Sequence, residues 1–378
     1  MNHMIYADEV IRRRNEIFKT YEELNSFAEP SWKEEKTSNY IARFLQEKGL
    51  YVRTYEDHYG LIAEIPGQIA DVVALRADMD ALLQEVDGIE QACHSCGHDA
   101  HSTMVMHVAG ILAESKIQPY RTIRFIFQPA EETAEGALQM IKDGALDKVN
   151  FLFGVHLRPW NELPIRKASP VIIHGSALTI EGQIQGVQAH AARPLEGKNP
   201  IESVSLLQQL LGNMRLQTSQ NYSVVMTQLK AGGMASNVIP EIAHFTLDIR
   251  AATNELLDEL KHEIASLFEH VAEIRKTPIT WNSSGFAPAA KPNPQAIAIL
   301  ESAIIEILGK ESLVDTCISK GAEDFHFYTW SLPHLQATML GLGCDLKPGL
   351  HHPKMTFSRE SLVYGTQILL YAIWQAAN

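Results

Sequence analysis

Between Gln91 and His101 the chain reads Gln-Ala-Cys-His-Ser-Cys-Gly-His-Asp-Ala-His, which crowds Cys93, His94, Cys96, His98, Asp99 and His101 into one short run. Thiolate, imidazole and carboxylate side by side are donors that borderline divalent metals such as zinc accept. The apolar positions that follow predict an amphipathic helix from about Asp99 to Glu114. A loop just ahead of a helix can turn Cys96 and His98 to one point, and Asp99 is placed to act as that helix's N-cap. Cys93-x-x-Cys96 also fits a buried thiol pair, or a redox or structural zinc half-site. A structural site wants a second Cys/His pair, and none stands at knuckle spacing.

Three other places carry groups of the same kind. Glu131-Glu132 follows an apolar run and Pro129. A glutamate pair is ordinary at a helix start, where carboxylates oppose the macrodipole. At a strand end, adjacent carboxylates can instead divide labour, one binding metal and the other acting as general base on water. His156 directly follows the apolar run Phe151 to Val155, and His351-His352 precedes Pro353. Each histidine alone reads as well for a satisfied core residue or a loop cap.

The elements that must position these groups come next. Apolar positions recur at helical spacing from Ala7 to Leu50, broken at Glu29-Pro30, which predicts two helices ending at Gly49. Short apolar runs at Leu61 to Ile65, Val72 to Leu75, Ile123 to Phe127 and Phe151 to Val155 predict strands, with a second helix-forming segment near Ala134 to Asp143. Strands alternating with helices indicate an α/β fold around a mixed, largely parallel sheet. Asp78, Glu131, Glu132 and His156 then all fall at carboxyl ends of strands, where open α/β sheets place their ligands. From about Ser176 the order becomes strand, helix, strand, strand, helix, strand, with the helices at Pro200 to Leu211 and Asn254 to Val271 and the last strand at Ile274 to Trp281. That βαββαβ order is the ferredoxin-like split unit. The expected organisation is a discontinuous α/β domain, residues 1–175 and 289–378, with a small inserted α+β domain, residues 176–288.

Composition narrows the function classes. A chain of 378 residues, 46% hydrophobic and 20% charged, has globular values and no apolar run long enough to span a bilayer. A formal charge of −13 argues against nucleic acid as a partner, since such proteins need cations to displace counterions. Four cysteines form no disulfide framework, and residues 1–14 have no apolar signal core, so a reducing cytoplasm is expected.

The motifs Arg76-Ala-Asp78-Met-Asp80-Ala-Leu82, Cys96-Gly-His98-Asp99-Ala-His101, Gln128-Pro-Ala-Glu131-Glu132, Gly154-Val-His156, His190-Ala-Ala-Arg-Pro194, Asn237-Val-Ile-Pro240, Gly321-Ala-Glu323-Asp324-Phe325 and His351-His-Pro353 occur in one order along the chain. In that order they resemble the M20 metallopeptidase family, most closely its aminoacylase and hippurate-hydrolase branch, which includes plant auxin-conjugate hydrolases. The resemblance implies two divalent metal ions per subunit, zinc or manganese first, with cobalt or nickel also compatible. It implies Cys96, His98, Glu132, His156 and His351 as ligands; His351 is preferred to His352 because the family pattern is His-x-Pro. Glu131 would be the general base and Asp78 would orient a ligand. The resemblance also implies that the larger domain is the catalytic, metal-binding one and the inserted domain a lid and dimerisation surface. On the lid, His190 and Asn237 would hold the substrate's carbonyl oxygen, Arg250 would meet its carboxylate, and the lid would form a homodimer. Cys93, His94 and His101 are left with packing or supporting roles.

The activity this implies is hydrolysis of the amide bond of small N-acyl amino acids, N-acetyl or N-benzoyl, with a dipeptidase of the same family as the alternative. A non-catalytic binding protein should have lost a ligand or the base, and a Cys93/Cys96 redox protein leaves Glu131, Glu132, His156 and His351 without a purpose. Two departures from the family pattern lie on the lid. Leu195 stands where relatives usually have histidine, and Leu247-Asp248-Ile249-Arg250 replaces the usual Gly-Thr-x-Arg.

Overall fold

The structure, a computed structural model, describes residues 3–378. The chain divides into two compact units, one of Met1–Ile173, Lys291–Ser319 and Glu323–Asn378, the other of His174–Ala290 with Lys320–Ala322.

In chain order the larger unit begins with helices α1 (His3–Arg12), α2 (Arg14–Ser26) and α3 (Glu35–Glu47). Strands β1 (Tyr51–Thr54), β2 (Leu61–Ile65) and β3 (Ile69–Asp78), hairpin strands β4 (Leu82–Val86) and β5 (Ile89–Cys93), and helix α4 (His98–Ser115) follow. Next come β6 (Arg121–Gln128), α5 (Gly136–Lys142), β7 (Val149–Pro159), β8 (Ala168–Ser169) and β9 (Ile172–His174). Seven strands form one sheet in the order β1-β2-β6-β3-β7-β17-β8, where β17 is Gln336–Leu346 near the end of the chain. The central pairs β6/β3, β3/β7 and β7/β17 are parallel, and the outer pairs β1/β2, β2/β6 and β17/β8 are antiparallel.

Alternation along β3 explains how the sheet is filled. Val73, Leu75 and Ala77 join one core with Phe125, Phe127, Phe153, Val155, α4 and α10 (Glu360–Ala377). The intervening Val72, Ala74, Arg76 and Asp78 point to the opposite face. Both sets are buried, as expected for a sheet covered on both sides. Asp78 pairs in register with Gln128 on β6, so Arg76, Asp78 and Gln128 share that second face. Their side chains need internal partners, because no water reaches them.

Several expectations change here. The N-terminal pair of helices is three, since the first is interrupted at Arg13 (φ −89°, ψ 7°). Helix α4 is buried on all sides rather than amphipathic, every residue from His98 to Leu112 being inaccessible. It packs between α2, α10 and β3, so its histidines and serine face protein all round. The β4/β5 hairpin was not legible as strands because none of its residues is buried and it lacks an apolar run. Its turn is Asp87-Gly88 with φ of +52° and +85°, the left-handed pair that a two-residue hairpin requires.

The second unit is the expected βαββαβ arrangement. Strands β10 (Ser176–Gln185), β12 (Tyr222–Ala231), β14 (Ile242–Ala251) and β15 (Ile279–Ala287) form an antiparallel sheet in the order β12-β14-β10-β15. Helices α6 (Pro200–Asn213) and α7 (Asn254–Arg275) cover one face. Asn199 and Thr253 cap their starts by accepting from Ile201 and Leu256 N–H. Helix α7 runs on past the expected end at Val271 to Arg275, where Lys276 takes a left-handed φ of +54° and Pro278 prevents continuation. That displaces the last strand to Ile279. A separate two-stranded ribbon pairs β11 (Ala189–His190) with β13 (Val238–Ile239). The remaining elements belong to the larger unit: α8 (Pro294–Leu308), β16 (Cys317–Ser319), which pairs with β9, and α9 (His326–Ser331). No described helix is long and apolar enough to cross a membrane.

Candidate metal centre and active site

The histidine and carboxylate groups singled out in the larger unit converge, and local backbone geometry explains how. Gly97, between Cys96 and His98, has φ +90°, a conformation that a side chain would strain. The kink turns Cys96 and His98 inward and starts α4. His351, also left-handed at φ +61°, donates its N–H to the Ser95 carbonyl at 2.7 Å. Its own carbonyl accepts from Gln84 Nε2 on the hairpin at 2.8 Å. A residue from the end of the chain is thereby tied to the cysteine loop from two sides.

Cys96 Sγ lies 3.5 Å from His156 Nε2. His156 donates its Nδ1 proton to the Leu157 carbonyl at 2.6 Å, which leaves Nε2 as the free lone pair facing the thiol. His98 Nε2 stands 3.7 Å from Glu131 Oε2, 3.8 Å from Glu132 Oε1 and 4.0 Å from Asp78 Oδ1. His351 Nε2 is 3.6 Å from Glu132 Oε2. Among the described residues, donor atoms within 4.8 Å of one another form five groups, among them Cys96/His98/His156, Cys96/Glu132/His351 and His98/Glu131/Glu132; the others are Asp78/His98/His101 and Glu131/Glu323/Asp324. Cys96 belongs to two of these, so its sulfur stands where two donor sets meet.

The chemistry of this donor set fits divalent cations. His98 Nε2 and Glu132 Oε1 are buried atoms with no hydrogen-bond partner, although buried polar groups rarely go unpaired. Asp78, Asp80, Glu131, Glu323 and Asp324 are buried and Glu132 nearly so, against the one buried guanidinium among them, Arg76. Such an excess of negative charge is costly without cations. Burial and the neighbouring carboxylates Glu323 and Glu132 push the Glu131 carboxyl well up, and burial raises Glu132 to about 7. Burial also raises the Cys96 thiol. Burial opposes a charged His98, yet Asp78, Cys96 and Asp80 outweigh it and raise its pKa. A field that draws a proton onto Nε2 draws any cation there.

Around these groups lies a supporting layer. The carboxylate that holds His98 Nδ1 is Asp80, at 3.1 Å; its other oxygen accepts from Ser31 Oγ and from the Glu132 N–H. Asp78 accepts from His101 Nδ1 at 2.7 Å and pairs with Arg76. His101 Nε2 accepts the Leu157 N–H at 2.9 Å. Both its nitrogens are therefore engaged, and it supports the site instead of facing it. Arg76 also donates to Gln128 and Asp324, and Asp324 further accepts from Gln128 and the Ala137 N–H. The spacing Asp78-x-Asp80 was the only signal that could have drawn attention to Asp80. Asp99 is not an N-cap. The helix starts one residue earlier, behind Gly97, and Asp99 accepts from Asn25 and the Ala100 N–H. Cys93, half-buried, bonds to Gln84. His94 is buried with neither ring nitrogen hydrogen-bonded. His352 spends Nδ1 on the Lys354 N–H.

The second unit places His190 and Asn237 together. His190 pairs with Val238 across the ribbon, and the Ala191 N–H donates to the Asn237 carbonyl at 2.8 Å. Both side chains are exposed. Arg250 lies on the sheet face away from the helices and is held in a two-pronged pair by Asp248, at 2.9 Å for each bond. Leu195, next to the ribbon, is fully exposed.

Residues 74–375 match the sequence profile of Peptidase family M20/M25/M40. The chain is 30% identical to the N-acetyl-L-cysteine deacetylase of Bacillus subtilis, covering 92% of this chain and 84% of that protein. It is 28% identical to the hippurate hydrolase of Campylobacter jejuni, covering 85% and 86%. Its fold superposes on a dinuclear metal-binding M20 peptidase from Bacillus subtilis with a TM-score of 0.82 at 25% identity, covering 96% of this chain and 98% of that one.

Proposed function

From the premise that the chain belongs to peptidase family M20/M25/M40, and is a binuclear metal-dependent hydrolase of linear amides, we propose that it cleaves N-acyl amino acids. Cys96, His98, His156, Glu132 and His351 would hold the two ions. The observation that carries this is the pair of donor groups meeting at Cys96, beside a further carboxylate, Glu131, that neither group uses. Thiolate and imidazole favour zinc, while the carboxylate keeps manganese, cobalt and nickel compatible.

When bound, such ions supply Lewis acidity and lower the pKa of water toward neutrality. The protein's own part is proton handling and orientation. Glu131 takes a proton from the attacking water as the new C–O bond forms and returns it to the leaving nitrogen as the C–N bond breaks. Products are a carboxylate and a free amino acid. Asp80 fixes the ring of His98, while Asp78, through His101 and Arg76, holds the wall behind it. His190 and Asn237 are proposed to bind the carbonyl oxygen, where charge develops. Arg250 as receptor for the substrate carboxylate would have to exchange Asp248 for it.

The names of the two amidohydrolase relatives favour an N-acyl amino acid over a dipeptide. We expect kcat/KM for N-acetyl or N-benzoyl amino acids to exceed that for dipeptides of the same C-terminal residue by about tenfold or more, a difference of at least 1.4 kcal/mol. A side-by-side panel checks this, and a preference for dipeptides would move the assignment to the alternative within the family. Four free cysteines agree with the proposed cytoplasmic location.

The proposed homodimer would use the second unit. Its edge strand β12 presents Val225 and Leu229, and α6 presents Ile201, each about half exposed; a groove of about 560 Å³ runs between the two elements. An unprotected apolar edge invites pairing with a second copy. Light scattering should find a dimer, and Leu229→Asp should give a monomer; a monomeric unmodified chain contradicts the proposal.

A further inference from the structure

The turn that carries Glu131 and Glu132 is held by a segment the chemistry has not yet used. Glu34, just ahead of α3, is fully buried. Its Oε1 accepts two backbone N–H groups, from Trp32 at 3.0 Å and from Ala130 at 2.9 Å. Ala130 immediately precedes Glu131 and is left-handed, with φ +54°, a region that residues with a Cβ seldom occupy unless held there. The Ala130 carbonyl closes the turn by accepting from Glu135 and Gly136 N–H. Two further contacts reach the turn from the same segment. Ser31 Oγ donates to Asp80 Oδ2, which accepts the Glu132 N–H, and Trp32 Nε1 donates to Glu135 Oε2 at 2.8 Å.

We propose that the Ser31–Glu34 segment is a clamp for this turn, and that Glu34 is a positioning residue which holds Ala130 left-handed so that Glu131 and Glu132 project in their working directions. This rests on the reading of Glu131 as general base. Glu34 touches neither substrate nor the donor atoms; it acts through the Ala130 backbone. The second oxygen, Oε2, has no hydrogen-bond partner, so the role needs one acceptor and not a charge. Burial raises the carboxyl to about 7, which makes glutamine a fair mimic.

The test compares Glu34→Gln, Glu34→Met, Glu34→Met with Ala130→Gly, Ser31→Ala and Glu131→Gln in the metal-loaded full chain. Kinetics on an N-acyl amino acid and metal content by elemental analysis are read for each. Glu34→Gln keeps the acceptor and should hold kcat within about threefold. Glu34→Met has similar size and no oxygen; kcat should fall roughly 10²-fold, the cost of about 1 Å of misplacement, with KM and two bound metals unchanged. Adding Ala130→Gly, which takes positive φ freely, should recover about tenfold of that loss. Should Glu34→Met not fold, Ser31→Ala still decides, with kcat lowered about tenfold at unchanged metal content. Unchanged kcat in the folded Met variant, equal loss in Gln and Met, or no effect of Ser31→Ala when it alone can be read overturns the clamp. If Glu131→Gln turns over normally, the reading of the base fails instead, whatever Glu34 does.

Discussion

Glu131→Gln should bind two metal ions as the unmodified protein does and lose about 10²–10⁴-fold in kcat, the contribution typical of a positioned acid–base group. The expectation follows from what Glu131 touches. Its Oε2 lies 3.7 Å from His98 Nε2, and its Oε1 receives only the long, 3.5 Å contact of the Asp324 N–H. Neither donor group that shares Cys96 includes it. An isosteric amide keeps the volume and the contact with Asp324 but cannot accept a proton at working pH. Metal analysis and steady-state kinetics on one preparation check this. Near-normal kcat would remove Glu131 from the reaction, and loss of metal would make it a ligand.

The second large effect separates the two cysteines of the Cys93-x-x-Cys96 pair. Cys96→Ala removes a donor common to both groups, and it should lower bound metal below two per chain. It should cut kcat/KM by roughly 10²–10³-fold, corresponding to several kcal/mol of lost Lewis-acid stabilisation at 1.36 kcal/mol per tenfold. Cys93→Ala should leave both quantities within about twofold, because its sulfur is half-exposed and bonded to Gln84, a surface contact worth little. Equal effects from the two substitutions would return the pair to a thiol or redox role. A ligating thiol must also be deprotonated, and burial raises the Cys96 pKa. Metal uptake should therefore release protons and tighten as pH rises, which titration at several pH values would show.

How far these arguments could be anticipated from the chain differs by layer. Strand β2 is Leu61–Ile65 in both readings, since a short apolar run between turn residues admits little else. The ferredoxin-like order was legible because its two central strands, β10 and β14, alternate against two amphipathic helices. Legibility failed where polar side chains lie inside the fold. His156 ends an apolar run in the sequence, yet β7 continues through it to Pro159, because its Nδ1 proton is satisfied locally by Leu157. Burial of α4 on all sides was hidden by polar residues such as His101 and Ser102, whose partners come from β3 and β7. Arg76 finds Asp324 nearly 250 positions away, and Glu34 finds Ala130. Nothing in residue type or spacing marks such pairs, since each is a buried group whose meaning depends on what the sheet brings opposite it.

The most direct test of a two-metal amide hydrolase is to strip the protein of metal and titrate manganese or zinc back. Bound metal by elemental analysis and free amino acid released from an N-acyl amino acid are followed together. The metal-free protein should be inactive, and turnover should climb with occupancy and level off at two ions per chain. Turnover that is indifferent to metal, or no release of amino acid at full occupancy, would contradict the account.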